Sequence, residues 1–150
     1  MASKNPSFDV VTIHPVLVFG RSLIQETAEE LSGSNGMLFQ TLMSETPYGK
    51  QFLGVHVSDV ASAHVSALTK SGTSIKGVQP YLVSSEARPW REVHDFVKSK
   101  YPSLAIKLPQ LDAFSYKVDI TRAQRELGIE FRGMEMQVTE LLDQHLELRR

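Results

Sequence analysis

Five histidines, at positions 14, 56, 64, 94 and 145, and no cysteine leave imidazole as the side chain of this 150-residue sequence that ordinarily titrates near neutral pH. His14 precedes Pro15 at the carboxyl end of an apolar run, the end at which open α/β sheets seat their ligands. His56 closes a second, shorter apolar run. These two are the candidates for general acid/base chemistry. His64 falls within an apolar helical stripe and reads as a core histidine bonded to a backbone group, whereas His94 and His145 read as helix-surface or stripe-edge residues. No metal site is expected: His56 and His64 are eight residues apart across a strand–helix junction, unlike a His-x-x-x-His helix face. Ser84-Ser85 ends a strand without a surrounding Gly-x-Ser-x-Gly, so it is not a nucleophile elbow.

The elements that must position these residues follow from hydrophobic period. Phe8 to Gly20 is nearly continuous in β-branched and apolar residues, which predicts a strand buried on both faces in a parallel sheet, ended at Pro15. Arg21 to Gly36 is polar and predicts a loop with one short helix, with Ser32-Gly33-Ser34-Asn35-Gly36 as a turn, followed by a short helix through Met37, Leu38, Phe39, Leu42 and Met43. Phe52 to Val57 predicts a short strand. Ser58 or Asp59 then caps a helix whose buried face is expected to be Val60, Ala61, His64, Val65 and Leu68. Gly72 and Gly77 break the chain before a strand over Pro80 to Ser84. Pro89 starts a helix through Tyr101 with Val93, Phe96 and Val97 on one face, and Pro102 stops it. Leu104 to Leu108 predicts a short edge strand. Asp119 caps a helix that ends at Gly128, and Met134 to Leu148 forms a last helix with Val138, Leu141, Leu142, His145 and Leu146 on one stripe. Strands alternating with helices, without a repeat or a linker, predict a single α/β domain over 1–150 with at least one parallel pair.

Composition narrows the function classes. Hydrophobic residues at 41% and charged residues at 22% are ordinary for a globular chain and exclude a collagen-like or wholly disordered one. A formal charge of -1 supplies no global basic field for nucleic acid or an anionic membrane, and the arginines at 88, 91, 132, 149 and 150 are scattered. No apolar run approaches the roughly 20 residues of a membrane span, and Met1 to Phe8 lacks a signal-peptide layout. A cytosolic protein without nucleic-acid or membrane partners is therefore expected.

Four blocks occur in an informative order: Phe8-Asp9-Val10-Val11-Thr12-Ile13-His14-Pro15-Val16-Leu17-Val18-Phe19-Gly20; Gly54-Val55-His56-Val57-Ser58-Asp59-Val60-Ala61-Ser62-Ala63-His64-Val65; Tyr81-Leu82-Val83-Ser84-Ser85; and Tyr116-Lys117-Val118-Asp119 with Glu126-Leu127-Gly128-Ile129-Glu130-Phe131-Arg132. In this order they resemble the sixth strand, the following strand–helix block, the last sheet strand and the C-terminal ending of extended short-chain dehydrogenases/reductases. The nearest resemblance is to NADPH-dependent ketone, methylglyoxal and dihydroflavonol-type reductases. The resemblance implies a partial Rossmann-like parallel sheet with a small helical substrate-side subdomain, and a setting in small-molecule or secondary metabolism. It also implies that Pro15, Val16 and Val18 correspond to the backbone loop beside the nicotinamide.

Two family signatures do not occur in these 150 residues. No glycine-rich turn follows a strand to hold a dinucleotide pyrophosphate at a helix N-terminus; Gly33 and Gly36 follow a polar stretch. The residues four positions after Tyr48, Tyr81, Tyr101 and Tyr116 are Phe52, Ser85, Ala105 and Ile120, so there is no Tyr-x-x-x-Lys dyad to protonate a carbonyl. His14, Arg21 and His56 stand where relatives commonly carry Asn, Pro and Asp. The expectation is a truncated relative of carbonyl reductases that retains the substrate-side half and lacks autonomous redox activity. It would bind no cofactor alone and would use NADPH only if another chain supplied the other half. The alternatives are a repurposed, cofactor-independent isomerase, dehydratase or cyclase using His14 or His56, or a non-catalytic binding or assembly subunit. A small-molecule metabolite is the implied ligand. The sheet edge left open predicts a homodimer or a partner carrying the N-terminal half.

Overall fold

The structure is a computed structural model that describes residues 8–70, 76–113 and 116–149. The break expected at Gly72 lies outside the described residues. Among the described residues, four strands and five α-helices follow in chain order: β1 (Val10–Pro15), β2 (Leu17–Phe19), α1 (Gly33–Leu42), β3 (Gly54–His56), α2 (Val57–Lys70), β4 (Val78–Val83), α3 (Trp90–Lys100), α4 (Thr121–Leu127) and α5 (Met134–Leu148). β1 pairs in parallel with β4, with Val10 opposite Val78 and Pro15 opposite Val83, and β2 pairs in parallel with β3. The α/β class and the parallel pairing agree with the sequence.

The first strand departs from expectation in two ways. Pro15 ends β1, but the chain jogs at Val16 and resumes as β2, so one apolar run feeds two separate parallel pairs. The Val16 N–H donates to the Val83 carbonyl at 3.3 Å and ties the jog to the end of β4. Nor is β1 buried on both faces: Val10 to Ile13 are half-buried, while His14 and Pro15 are exposed. Among the described residues no strand other than β4 pairs with β1, and one covered face explains the partial burial.

Two buried clusters flank the strands. Phe19, Phe52, Trp90, Val97, Val138 and Leu142 centre the larger, which α1, α3 and α5 close. Tyr81, Val83, Ala63, Ala67, Leu127 and Ile129 form the smaller, between the β1/β4 pair and the helices α2 and α4. α2 therefore buries small residues, and the expected face is overturned: Ala63 and Ala67 point inward with Asp59, Val60 is half-buried, and Ala61, His64, Val65 and Leu68 are exposed. Alanines allow the helix to lie close on the sheet, and the larger apolar residues are left on the outer face. Asp59, 1% exposed, accepts from the Arg132 backbone N–H at 2.7 Å and from its guanidinium, which pins the start of α2 to the segment before α5.

Other expectations fail for local reasons. Ser32 to Gly36 is not a turn but the first turn of α1, because tertiary hydrogen bonds override weak propensity. The Ser34 hydroxyl donates to the Val18 carbonyl, and the Asn35 side chain bonds both backbone groups of Gly20. Leu104 to Leu108 is not a strand: the Lys107 and Leu108 N–H groups share the Leu42 carbonyl at the end of α1, and Leu104, Ile106 and Leu108 plug the larger core. Asp119 does accept from the Thr121 N–H at 3.0 Å, and Gly128 ends α4 at φ 70°, a left-handed cap suited to glycine.

Candidate functional site

A cleft of about 840 Å³ opens at the carboxyl end of β1. Its floor is the jog, Pro15, Val16 and Leu17, and its rim comes from the α1–β3 connection, Tyr48 to Gln51 with Leu53. Tyr116, from the loop before α4, closes the far side. The volume falls within the range of small-molecule sites, as does the mostly apolar lining with a few polar groups.

Each wall is held by specific contacts. Trp90, fully buried at the start of α3, donates its indole N–H to the Gly49 carbonyl at 3.3 Å and meets the Tyr48 ring edge-on at 5.1 Å. The rim is thus fastened to the larger core. The Tyr48 hydroxyl is buried without a hydrogen-bond partner, and burial pushes its pKa up, so it is a neutral phenol. Gln51, 4% exposed, clamps the opposite wall: its amide N–H donates to the Tyr116 carbonyl at 2.9 Å, and its amide oxygen accepts from the Tyr116 N–H at 3.3 Å. A side-chain amide here replaces a strand neighbour for an irregular loop. Lys50 brings the one charge among the described lining residues.

The residues singled out in the sequence are distributed unevenly around this cleft. Pro15 and Val16 line it; Val18 does not, and its carbonyl is taken by Ser34. His14 is exposed beside it and lies 2.9 Å from the Thr12 hydroxyl on its own strand, outside the lining. His56 is 1% exposed beneath Gly20; its Nδ1 accepts from the Ser58 N–H at 3.1 Å, and its Nε2 lies 2.9 Å from the Glu140 carboxylate on α5. It braces β3 against α5 instead of facing the cleft. His64 is exposed, but its Nδ1 sits 2.8 Å from the Val60 carbonyl, so the backbone bond occurs without the core position. His145 is buried against Phe39 with ring centroids 4.2 Å apart, and burial lowers its pKa. Among the described residues no three His, Asp or Glu side chains gather to hold a metal ion. No helix there is long and apolar enough to cross a membrane.

The sequence does not single out Lys50 and Gln51; Tyr48 enters it only in the dyad test, and Tyr116 there and in the block that resembles the family's C-terminal ending. Gln51 and Tyr116 are 65 positions apart, and only the fold joins them. The available signal was an aromatic residue in Thr46-Pro47-Tyr48-Gly49, a turn that would not otherwise need one.

The glycine-opened start of α1 does not fit the pyrophosphate of a dinucleotide. Gly33, the glycine that opens α1, follows a polar loop, and the Ser34 and Asn35 side chains are committed to Val18 and Gly20.

No family model matches the chain. It is 34% identical over 149 residues to "Ketoreductase sphI" of Aspergillus fumigatus, across 97% of this chain and 44% of that protein. It is 32% identical over 108 residues to "NAD-dependent epimerase/dehydratase ALT6" of Alternaria alternata, across 63% of this chain and 29% of that protein. The crystal structure of Gre2 from Candida albicans in complex with NADPH superposes with a TM-score of 0.71 at 23% identity, over 99% of this chain and 47% of that one, a likeness of fold. The chain thus spans under half the length of these relatives. It belongs with the ketoreductases and epimerase/dehydratase-type reductases of the extended short-chain dehydrogenase/reductase family, and corresponds to the C-terminal half of their length.

Proposed function

We propose that these 150 residues form the substrate-side half of an NADPH-dependent carbonyl reductase of small-molecule or secondary metabolism, working in the cytosol. In this reading they recognise the carbonyl compound and do not carry out the redox step alone. The observation that carries it is the cleft at the carboxyl end of β1, lined by Pro15 and Val16 and lying where open α/β sheets bind ligands. The absence of a glycine-rich turn and of Tyr-x-x-x-Lys from these residues supports the second part. Dinucleotide and proton donor then come from a further half, in the same polypeptide or another.

The partner reading is part of the proposal. Among the described residues no strand pairs with the edge of β1 away from β4, and α2 presents Val65 and Leu68 at 60% and 77% exposure. A half carrying the dinucleotide, or a second copy of this chain, would cover both. No observation favours the acid/base alternative, because neither His14 nor His56 lines the cleft.

Complementation tests this reading. The region of an NADPH-dependent ketoreductase that precedes the matched half, co-expressed with this chain, should give NADPH oxidation with an aryl ketone that neither piece gives alone. Equal oxidation by the 150-residue chain alone would overturn it.

A further inference from the structure

We infer that the cleft selects an aromatic or conjugated carbonyl compound that carries an anionic group, with Lys50 as the residue that recognises the anion. This rests on the reading of the cleft as a substrate site and adds the class of substrate. Shape and charge point the same way. Val16, Leu17 and Leu53 give apolar surface, and Tyr48 and Tyr116 give two aromatic walls. Trp90 holds the segment that carries Tyr48, and Gln51 chelates the backbone of Tyr116, whose ring is left 53% exposed to meet a ligand. A flat, rigid ligand loses less freedom on stacking against these rings than a flexible one, so the cleft favours a ring.

Charge supplies the second half of the inference. Among the described residues Lys50 is the sole ionic one in the lining, and its ammonium makes no ion pair or hydrogen bond with them. Among the described residues no carboxylate lines the cleft to neutralise it or to repel an anion. A carboxylate or an acidic enol on the ligand would therefore meet an uncompensated positive charge at the rim, while its ring lies on the apolar floor. The Tyr48 hydroxyl does not compete for this role, since it is buried.

The test uses a matched pair of probes, 4-acetylbenzoate and its methyl ester, which share ring and ketone and differ in charge. Trp90 is the only tryptophan, and its edge contact with Tyr48 makes its fluorescence a reporter of the cleft. Titration of the 150-residue chain should give saturable binding with the acid preferred about fivefold, the scale of an exposed charge-assisted contact. Lys50→Gln should remove that preference and leave ester affinity within about twofold, while Tyr116→Ala should weaken both probes. Equal affinity for acid and ester, a preference that survives Lys50→Gln, or no saturable binding at millimolar probe would each overturn the inference. No NADPH enters the experiment. Failure of the redox reading and failure of the anion inference are therefore distinguishable.

Discussion

Gly54→Ala offers a stringent test of the packing that supports the cleft. Gly54 begins β3, opposite Leu17 of the jog. A Cβ added there would lie 2.5 and 2.7 Å from two ring carbons of Phe19 and closer still to the Gln137 amide oxygen. Both neighbours are buried, and Phe19 is stacked on Phe52 with centroids 5.4 Å apart, so neither has an empty space to enter. Ordinary contact begins near 3.4 Å, so the ring must move by almost an ångström. Overpacking of this kind costs about 1–3 kcal/mol. Gln137 also donates to the Ser85 hydroxyl at 3.0 Å and to the Arg132 carbonyl at 2.9 Å, while Ser85 donates from N–H and hydroxyl to the Gly54 carbonyl, each at 2.8 Å. Displacing the amide leaves buried polar groups unpaired, at about 1–3 kcal/mol. The stiffer unfolded chain returns roughly 0.4–1 kcal/mol. The net expectation is a loss of about 2–4 kcal/mol, or a fall in Tm of roughly 5–15 °C for a chain of this size. Urea denaturation followed by Trp90 fluorescence measures it. Gly77→Ala is the control: its φ is 72° with open space around it, so only the left-handed backbone contributes, about 1 kcal/mol. Equal losses in the two variants, or a Gly54→Ala loss under about 0.5 kcal/mol, would refute the packing argument.

Two further predictions concern other parts of the molecule. The folded state lowers the pKa of His145, chiefly by burial, so the unfolded chain binds its proton more readily and stability should fall as pH drops from 7 through the unfolded value of about 6.5; His145→Gln should flatten that part of a urea-midpoint profile, and an unchanged slope would contradict the assignment. Val65→Lys combined with Leu68→Lys should abolish concentration-dependent association in light scattering while leaving the melt within about 2 °C, as expected for exposed positions; a wild-type monomer at every concentration would remove the homodimer form of the partner proposal.

Legibility from sequence varied with how local the cause was. β1 ended at Pro15 and α4 at Gly128 because proline removes a donor and glycine accepts positive φ, both properties of one residue. α5 ran from Met134 to Leu148 as its stripe indicated. α2 defeated the same reasoning because apolar periodicity cannot tell which of two weak faces meets the sheet, and here the alanines do. The start of α1 was hidden because Ser34 and Asn35 are turn formers until Val18 and Gly20 occupy their side chains. At the site, family resemblance singled out Pro15, Val16 and Val18 as a loop beside a nicotinamide, whereas their place in the cleft, Pro15 and Val16 in its floor and Val18 outside it, shows only in the fold. Lys50, Gln51 and Tyr116 were not, because their relation to the jog exists only after folding. The histidines misled for a physical reason: an ionisable side chain is conspicuous in sequence whether it faces a ligand or, like His56, braces a strand against a helix.

These residues are proposed to hold the substrate side of a reductase and no dinucleotide site. Isothermal titration of NADPH into the 150-residue chain tests it most directly. No saturable heat is expected at micromolar cofactor with the chain alone, and saturable binding is expected once the dinucleotide half of a ketoreductase is present. Micromolar NADPH affinity for the chain alone would contradict it.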